Sequence, residues 1–278
     1  MSRRGLRDVA VVGGGVVGAA CALALARAGL SVVLVEATPL HPWRADAPDL
    51  RVYAIAEDSV RLFDGLGIWS TIRDARAQPY RRMRVWDAGG DGELAFDADA
   101  LGRRELGWIV EHGLIVDRLW AALPAAGVEL RCPATVAALE QDDTRALLRL
   151  DDGGRIEARI AIAADGAGST LRTLAGIAVD ARAHGQHGVV ACVAGDRGHD
   201  DTAWQRFLPT GPLALLPCPG GTGSIVWTLP DDEAARVRTL DDAAFGAALA
   251  TAFDGRFGAM RLLSPRVAFP LRRQLARS

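Results

Sequence analysis

Val9–Val12 is a short, wholly apolar run rich in β-branched residues, the pattern of a strand buried on both faces. Gly13-Gly14-Gly15-Val16-Val17-Gly18 follows at once, and Ala19–Ala28 reads as an Ala/Leu-rich helix stopped at Gly29. Ser31–Val35 is a second buried strand with Glu36 at its end. Apolar residues at Val60, Leu62, Phe63 and Leu66 predict a helix over Glu57–Leu66, closed by Gly67. Arg82–Asp87 and Glu93–Asp97 read as strands joined through Gly89-Gly90-Asp91-Gly92, and Leu114–Leu123 as a helix. Arg145–Leu150 and Arg155–Arg159 form a hairpin around Asp151-Asp152-Gly153-Gly154. Ile160–Ala164 is then a separate buried strand, ending in Asp165-Gly166-Ala167-Gly168-Ser169.

From about residue 181 the pattern changes. His187–Ala194, Trp204–Leu208, Leu213–Leu216 and Ser224–Leu229 are apolar runs between Pro/Gly turns, the signature of a mostly antiparallel sheet. Asp241–Phe253 reads as a helix with acids at its start. The expected fold class is α/β: a Rossmann-like domain of parallel sheet and helices, interleaved with a mostly antiparallel β-sheet domain. Residues 1–75 and 107–180 are assigned to the first domain and 76–106 and 181–268 to the second. Residues 269–278 return toward the first.

A length of 278 residues fits about two domains. With 32 basic against 34 acidic residues the net charge is −2, which argues against a nucleic-acid partner. Every one of those basic residues is Arg, so a catalytic or phosphate-binding lysine is excluded. Cys21, Cys132, Cys192 and Cys218 are scattered, which fits reduced thiols in a cytoplasmic protein better than a disulfide or zinc scaffold. His184, His187 and His199-Asp200-Asp201 read as solvated loop residues, and no metal site is expected. No G-x-S-x-G elbow offers hydrolase chemistry. Ser2-Arg3-Arg4-Gly5-Leu6 imitates a twin-arginine export start, but four glycines and Arg27 break the apolar stretch behind it.

Those glycines have a better explanation. Gly13-x-Gly15-x-x-Gly18 follows a strand, opens a helix and precedes an acid by 18 residues, the context that makes this motif a dinucleotide site. Gly13 allows the tight turn, Gly15 lets a pyrophosphate approach the backbone, and Gly18 lets helix and strand pack closely. Glu36 is placed to accept hydrogen bonds from a ribose diol. Asp165 and Gly166 end an apolar strand where open α/β sheets put their ligands. Phe207, Leu213, Leu215, Leu216 and Trp227 are candidates for the wall of an apolar pocket.

With these pieces the chain resembles the class A flavin monooxygenases of ubiquinone biosynthesis, of the 2-polyprenyl-6-methoxyphenol hydroxylase type. The glycine motif and Glu36 carry the likeness, with Arg51-Val-Tyr-Ala-Ile-Ala, Leu66-Gly67-Ile68-Trp69 and Val85-Trp86-Asp87-Ala88. Gly107-Trp-Ile-Val-Glu111-His112, Asp165-Gly166-Ala167-Gly168-Ser169-x-x-Arg172 and Phe207-Leu-Pro-Thr-Gly211-Pro-Leu-Ala-Leu-Leu-Pro217 extend it along the chain.

The resemblance implies FAD as cofactor and NAD(P)H as electron donor. It implies Arg51 and Arg118 near the flavin and pyrophosphate, and Asp165 near the ribityl chain; no catalytic side chain is named. The implied substrate is a polyprenylated phenol, which brings peripheral contact with the inner face of the cytoplasmic membrane. A ubiquinone-biosynthesis complex or a homodimer is compatible with it. A flavin monooxygenase acting on a soluble aromatic and a non-catalytic ubiquinone-assembly subunit are the alternatives. The family carries a further Gly-Asp or Gly-Asn motif beyond the region matching Phe269-Pro270-Leu271, and this chain stops at Ser278. A C-terminally truncated member, with little retained flavin and no coupled hydroxylation by the chain as given, is therefore expected.

Overall fold

The computed structural model describes residues 5–47 and 49–277; the Ser2–Arg4 part of the export-like start lies outside them. The first third of the chain runs β1 (Leu6–Val12), α1 (Val16–Arg27), β2 (Val32–Val35), β3 (Val52–Ile55), α2 (Glu57–Gly65), α3 (Trp69–Arg76), β4 (Ala77–Tyr80), β5 (Arg82–Asp87) and β6 (Glu93–Asp97). Next come β7 (Gly107–Glu111), α4 (His112–Ala122), β8 (Glu129–Arg131), β9 (Val136–Gln141), β10 (Ala146–Leu150), β11 (Arg155–Ala163) and α5 (Thr170–Leu174). The remainder is β12 (Val179–Gly195), β13 (Thr202–Leu208), β14 (Gly211–Pro217), β15 (Gly223–Pro230), α6 (Asp231–Thr239), α7 (Asp242–Ala252), β16 (Met260–Leu262) and β17 (Val267–Ala276).

A six-stranded sheet has the order β8-β2-β1-β11-β10-β9. Its first four strands are parallel, and β9 and β10 add an antiparallel edge. The apolar runs of β1 and β2 are buried because both faces are covered. Val9, Val11, Val32 and Leu34 pack with α1 and α4 residues such as Leu23, Leu114 and Leu119. Ala10, Val12, Val33 and Val35 pack on the other side with Leu148, Ile156 and Leu171.

The hairpin strand and the buried strand expected separately at Arg155–Arg159 and Ile160–Ala164 are one continuous strand. β11 pairs antiparallel with β10 over its first half and parallel with β1 along almost its whole length. The burial expected for its second half is not found either: Ile160 is 59% exposed. Ile162 and Ala164 pack only partly against the core beneath α1 and α4, and Ile160 stands outside it.

The eight-stranded sheet runs β16-β12-β15-β14-β13-β5-β6, with β17 also paired to β12. All its contacts are antiparallel except β13 with β5. Its β5–β6 hairpin lies in the chain between β4 and β7, ahead of β8–β11, so the sheets are interleaved along the sequence. One face packs on α6 and α7 around the fully buried Phe245, Leu249 and Phe253.

Strand alternation corrects the expected pocket wall. Leu213, Leu215 and Trp227 point into this helix-covered core, whereas Phe207 and Leu216 lie on the opposite, open face. The histidine expectation is also corrected. His199 is buried, Asp201 N donates to its Nδ1 at 3.1 Å, and its Nε2 lies 3.1 Å from the Cys218 carbonyl oxygen. His187 lies on β12 with Nδ1 2.9 Å from Asp231.

A third sheet, β3-β7-β4, is small and antiparallel and bridges the two larger ones. Its edge strand β4 tolerates Pro79 because an edge position needs no ladder N–H there.

Removing the ring of Phe245 should cost about 3–5 kcal/mol, since a fully buried aromatic leaves both a transfer loss and a cavity. Urea unfolding of Phe245→Ala followed by circular dichroism checks this; a loss below about 1 kcal/mol would mean the core beneath α7 is not the packed unit described.

Candidate active site

The strand order reverses at β1: β2 lies on one side and β11 on the other. Ligand clefts in open α/β sheets form at such a switch point, outside the carboxyl ends of the strands. Here the tight packing of the glycine turn can be read atom by atom. Gly13 has φ +106°, and a Cβ on it would sit 2.3 Å from the Ala164 carbonyl oxygen at the end of β11. A Cβ on Gly18 would lie 1.9 Å from the Gly13 carbonyl oxygen. Gly14, which motif spacing leaves unassigned, is equally constrained. Its Cβ would meet the Trp120 ring at 2.4 Å, and the buried Trp120 Nε1 donates to its carbonyl oxygen at 2.7 Å.

Gly15 is different. No atom lies within 4 Å of its Cβ position, and it opens onto a cleft of about 550 Å³. Helix α1 starts there with no side-chain cap and no acid in its first turn. Its first N–H groups are therefore unpaired within the helix and present a positive dipole end. Glu36 closes one side of the cleft: its carboxylate accepts from Gly14 N at 2.5 Å and from Thr38 N at 2.8 Å. Asp165 and Gly166 line the opposite side, Gly166 with φ +81° and open space around it. The Asp165 carboxylate accepts from Ser169 Oγ and, at 3.0 Å, from Leu171 N, so it also holds its own turn in shape.

Arg51, Tyr53 and His112 line the same cleft. The Arg51 guanidinium lies 5.5 Å from the Tyr53 ring centroid and makes no ion pair among the described residues. Tyr53 Oη is 3.1 Å from His112 Nδ1. Burial, and then the nearby Arg51 charge, hold His112 below the usual imidazole range. Arg118 is not brought to the cleft. It pairs with Asp117 on α4 and stacks over Trp43 at 5.7 Å.

Six of the eight residues singled out from sequence thus line one cleft: Gly13, Gly15, Glu36, Arg51, Asp165 and Gly166. Gly18 lies beneath it. A helix N-terminus facing an open glycine, a carboxylate at the end of β2 and an unpaired guanidinium fit a ribose and a pyrophosphate. This donor and acceptor set suits the ribose and pyrophosphate of an FAD molecule.

A second cavity, of about 200 Å³, lies on the other face of the β3-β7-β4 sheet. Val52, Ile109 and Glu111 line it from that sheet, with Asp49, Leu50 and Arg76 beside them; Cys192, Cys218, Thr222 and Ser264 close it from the large sheet. Burial pushes the Cys218 thiol up to about 12 and raises Cys192 as well. Sequence reasoning missed this cavity because its residues are contributed by six separate segments.

A family described as FAD binding domain matches residues 7–250. The chain belongs to the family of FAD-dependent ubiquinone-biosynthesis hydroxylases. It is 39% identical over 274 residues to the 3-demethoxyubiquinol 3-hydroxylase of Escherichia coli, covering 97% of this chain and 69% of that protein. Identity to the ubiquinone hydroxylase UbiL of Rhodospirillum rubrum is 37%, over 97% of this chain and 62% of the relative. Human mitochondrial ubiquinone biosynthesis monooxygenase COQ6 is 32% identical, with 88% and 56% covered. The chain spans 55% to 69% of the length of such relatives.

Among solved structures, the p-nitrophenol 4-monooxygenase PnpA of Pseudomonas putida superposes with a TM-score of 0.73 at 21% identity, covering 98% of this chain and 69% of that one. PqsL of P. aeruginosa gives 0.77 at 18%, covering 96% and 74%. These likenesses carry the fold.

Two glycine substitutions should separate packing from binding. Gly15→Val should leave the fold intact, because its Cβ enters open space, yet weaken FAD binding by about 100-fold or more by occupying the pyrophosphate position. Gly18→Val should instead lower the unfolding midpoint, since its Cβ meets backbone. Flavin titration and thermal unfolding of both variants check the pair; unchanged FAD affinity in Gly15→Val would remove the cleft assignment. At pH 8 Cys218 should resist iodoacetamide until the protein unfolds, which mass spectrometry of the peptide reads directly.

Proposed function

We propose that the protein is a flavin-dependent monooxygenase that inserts one oxygen atom of O2 into a polyprenylated phenol, with NAD(P)H as electron donor. The balance is phenol, O2, NAD(P)H and a proton in, and hydroxylated phenol, NAD(P)+ and water out. Bound FAD supplies the reductive activation of O2. The observation that carries the reading is the back-to-back arrangement of a dinucleotide cleft and a second, smaller cavity on opposite faces of β3 and β7. Residues adjacent in sequence serve both, with Arg51 and His112 facing the cleft and Val52 and Glu111 facing the cavity.

The chain's own part is binding, orientation and the exclusion of water. The α1 N-terminus and Arg51 hold the pyrophosphate, Glu36 the adenosine ribose, and the turn at Asp165–Gly166 the ribityl chain. The second cavity takes the phenol ring. Within it the charges of Arg76 and Glu111 largely neutralise each other, with Arg76 Nε 3.0 Å from Glu111 Oε1. Its half-buried thiols stay protonated at pH 7.

In this reading residues 1–75 and 107–180 form the cofactor lobe and residues 76–106 and 181–268 the substrate lobe. The membership of β5 and β6 in the large sheet supports that interleaving. Peripheral contact with the membrane that holds a long-tailed phenol is part of the same proposal. Leu94 and Phe96, 63% and 47% exposed, and Phe207 at 43% stand on the open face of the large sheet and support it. No helix among the described residues is long and apolar enough to cross a membrane.

Extended to the length of its longer relatives, the protein, given FAD, NADH or NADPH and a short-chain polyprenyl phenol in detergent, should yield a product carrying one atom from isotopically labelled O2. Hydroxylation of soluble phenols alone would favour the soluble-aromatic alternative. Flavin-free capture of other ubiquinone enzymes, without turnover, would favour the assembly subunit. Leu263→Trp, which crowds the second cavity, should lower phenol-dependent NAD(P)H oxidation by about tenfold or more while FAD affinity holds within about twofold. Unchanged turnover in that variant would detach the cavity from the reaction.

A further inference from the structure

Glu111 is 7% exposed and its carboxylate has a partner for each oxygen. Oε1 meets Arg76 Nε at 3.0 Å. Oε2 accepts from Trp43 Nε1 at 2.8 Å and from Asp49 N at 3.0 Å. All three partners bear on the irregular segment between β2 and β3, which Arg76 holds a second time by donating from Nη1 to the Ala45 carbonyl oxygen at 2.6 Å. Asp49 passes the constraint on. Its Oδ1 accepts from Arg51 N at 2.9 Å, and its Oδ2 from Gly113 N, at the start of α4, also at 2.9 Å. His112 N in turn donates to the Arg51 carbonyl oxygen at 2.8 Å. The chain of contacts runs from Glu111 through Asp49 to the backbone of Arg51, on both sides of the residue that offers its guanidinium to the cofactor cleft.

We propose that Glu111 is a positioning residue for the cofactor, acting through Asp49 to aim Arg51 at the pyrophosphate region of the cleft. A buried carboxylate is costly unless fully paired, and here the pairing goes to one loop rather than to the surrounding sheet. Among its described residues that loop has no helix or strand of its own, so these bonds, with the one from Trp43 N to Asp117 Oδ1 at 3.1 Å, hold its path. Without them the Arg51 side chain, exposed and free of ion pairs among the described residues, has no fixed origin from which to fork onto phosphate oxygens. Glu111 faces the second cavity and does not line the cleft, so its effect on FAD is indirect.

The test is a double-mutant cycle read by FAD titration, with thermal unfolding measured on the same samples. Arg51→Ala should weaken FAD binding by about tenfold, the worth of a charge-assisted contact. Glu111→Ala should weaken it by a similar factor, and Glu111→Gln, which keeps one acceptor for Trp43 and Asp49, should recover most of the loss. In the Arg51→Ala background, Glu111→Ala should change FAD affinity by less than about twofold while still lowering the unfolding midpoint. Equal losses of affinity in both backgrounds, or none in either, would overturn the proposal. If Glu111→Ala does not fold, Asp49→Asn replaces it in the cycle. That variant loses one of the two backbone acceptors, and additivity with Arg51→Ala would again refute the relay.

Discussion

The cofactor cleft depends on a steric exclusion. The β1–α1 turn and the end of β11 approach so closely that the Gly13 and Ala164 backbones leave no room for a Cβ, and Gly18 presses on Gly13 in the same way. Because these contacts are backbone to backbone, no neighbouring rotamer can relieve them. They fix the start of α1 against the parallel sheet at the point where the strand order reverses. From that fixed point the ends of β2 and β11 deliver Glu36 and Asp165 to opposite sides of one cleft. The attractive contacts follow, including the indole of Trp120 closing over Gly14.

Much of this was legible in the sequence because it is local. The glycine spacing, the buried β1 and β2 runs and the acid at Glu36 all fall within 28 residues. The β5–β6 and β10–β11 hairpins were legible from turn chemistry, and α7 from its acidic start, where Asp241 accepts from Ala244 N at 2.7 Å. Helix α6 was missed although it carries the same signal, with Asp231, Asp232 and Glu233 in its first turn and Arg236 and Arg238 in its last. Its low apolar content hid it. The division of β11 failed for another reason: a strand that changes partners along its length changes its hydrophobic pattern too, and periodicity reads that change as a boundary. The third sheet was invisible because β3, β4 and β7 are short and pair across more than 25 residues. The second cavity inherits that invisibility, since it exists only where this sheet meets the large one.

Energetics explain why the wall between the two cavities is ionic in part and apolar in part. Trp108, Val110 and Tyr53 turn into the core beneath α1 and α4, whereas Ile109 and Glu111 turn toward the second cavity. An apolar residue at 111 would pack as well or better, because a buried ion pair roughly breaks even against a hydrophobic replacement. What the carboxylate adds is direction. Its two oxygens accept from a guanidinium, an indole and a backbone N–H at defined angles, and so specify one path for a loop that apolar contacts alone would leave variable.

That division of labour rests on strand register. In a sheet, successive side chains alternate faces, so a slip of one residue between β3 and β7 would send Glu111 into the apolar core and Val110 into the cavity. The register is held at both ends of the pair. At one end His112 N donates to Arg51 O. At the other, Gly107 is squeezed so that a Cβ would lie 2.7 Å from both the Ile55 carbonyl oxygen and the Tyr80 hydroxyl. A side chain at 107 would force β3 or β4 away, and with them the alternation that separates cleft from cavity. The glycine that pins this small sheet therefore does for the second cavity what Gly13 and Gly18 do for the first. In both places the site is shaped by where a side chain cannot be.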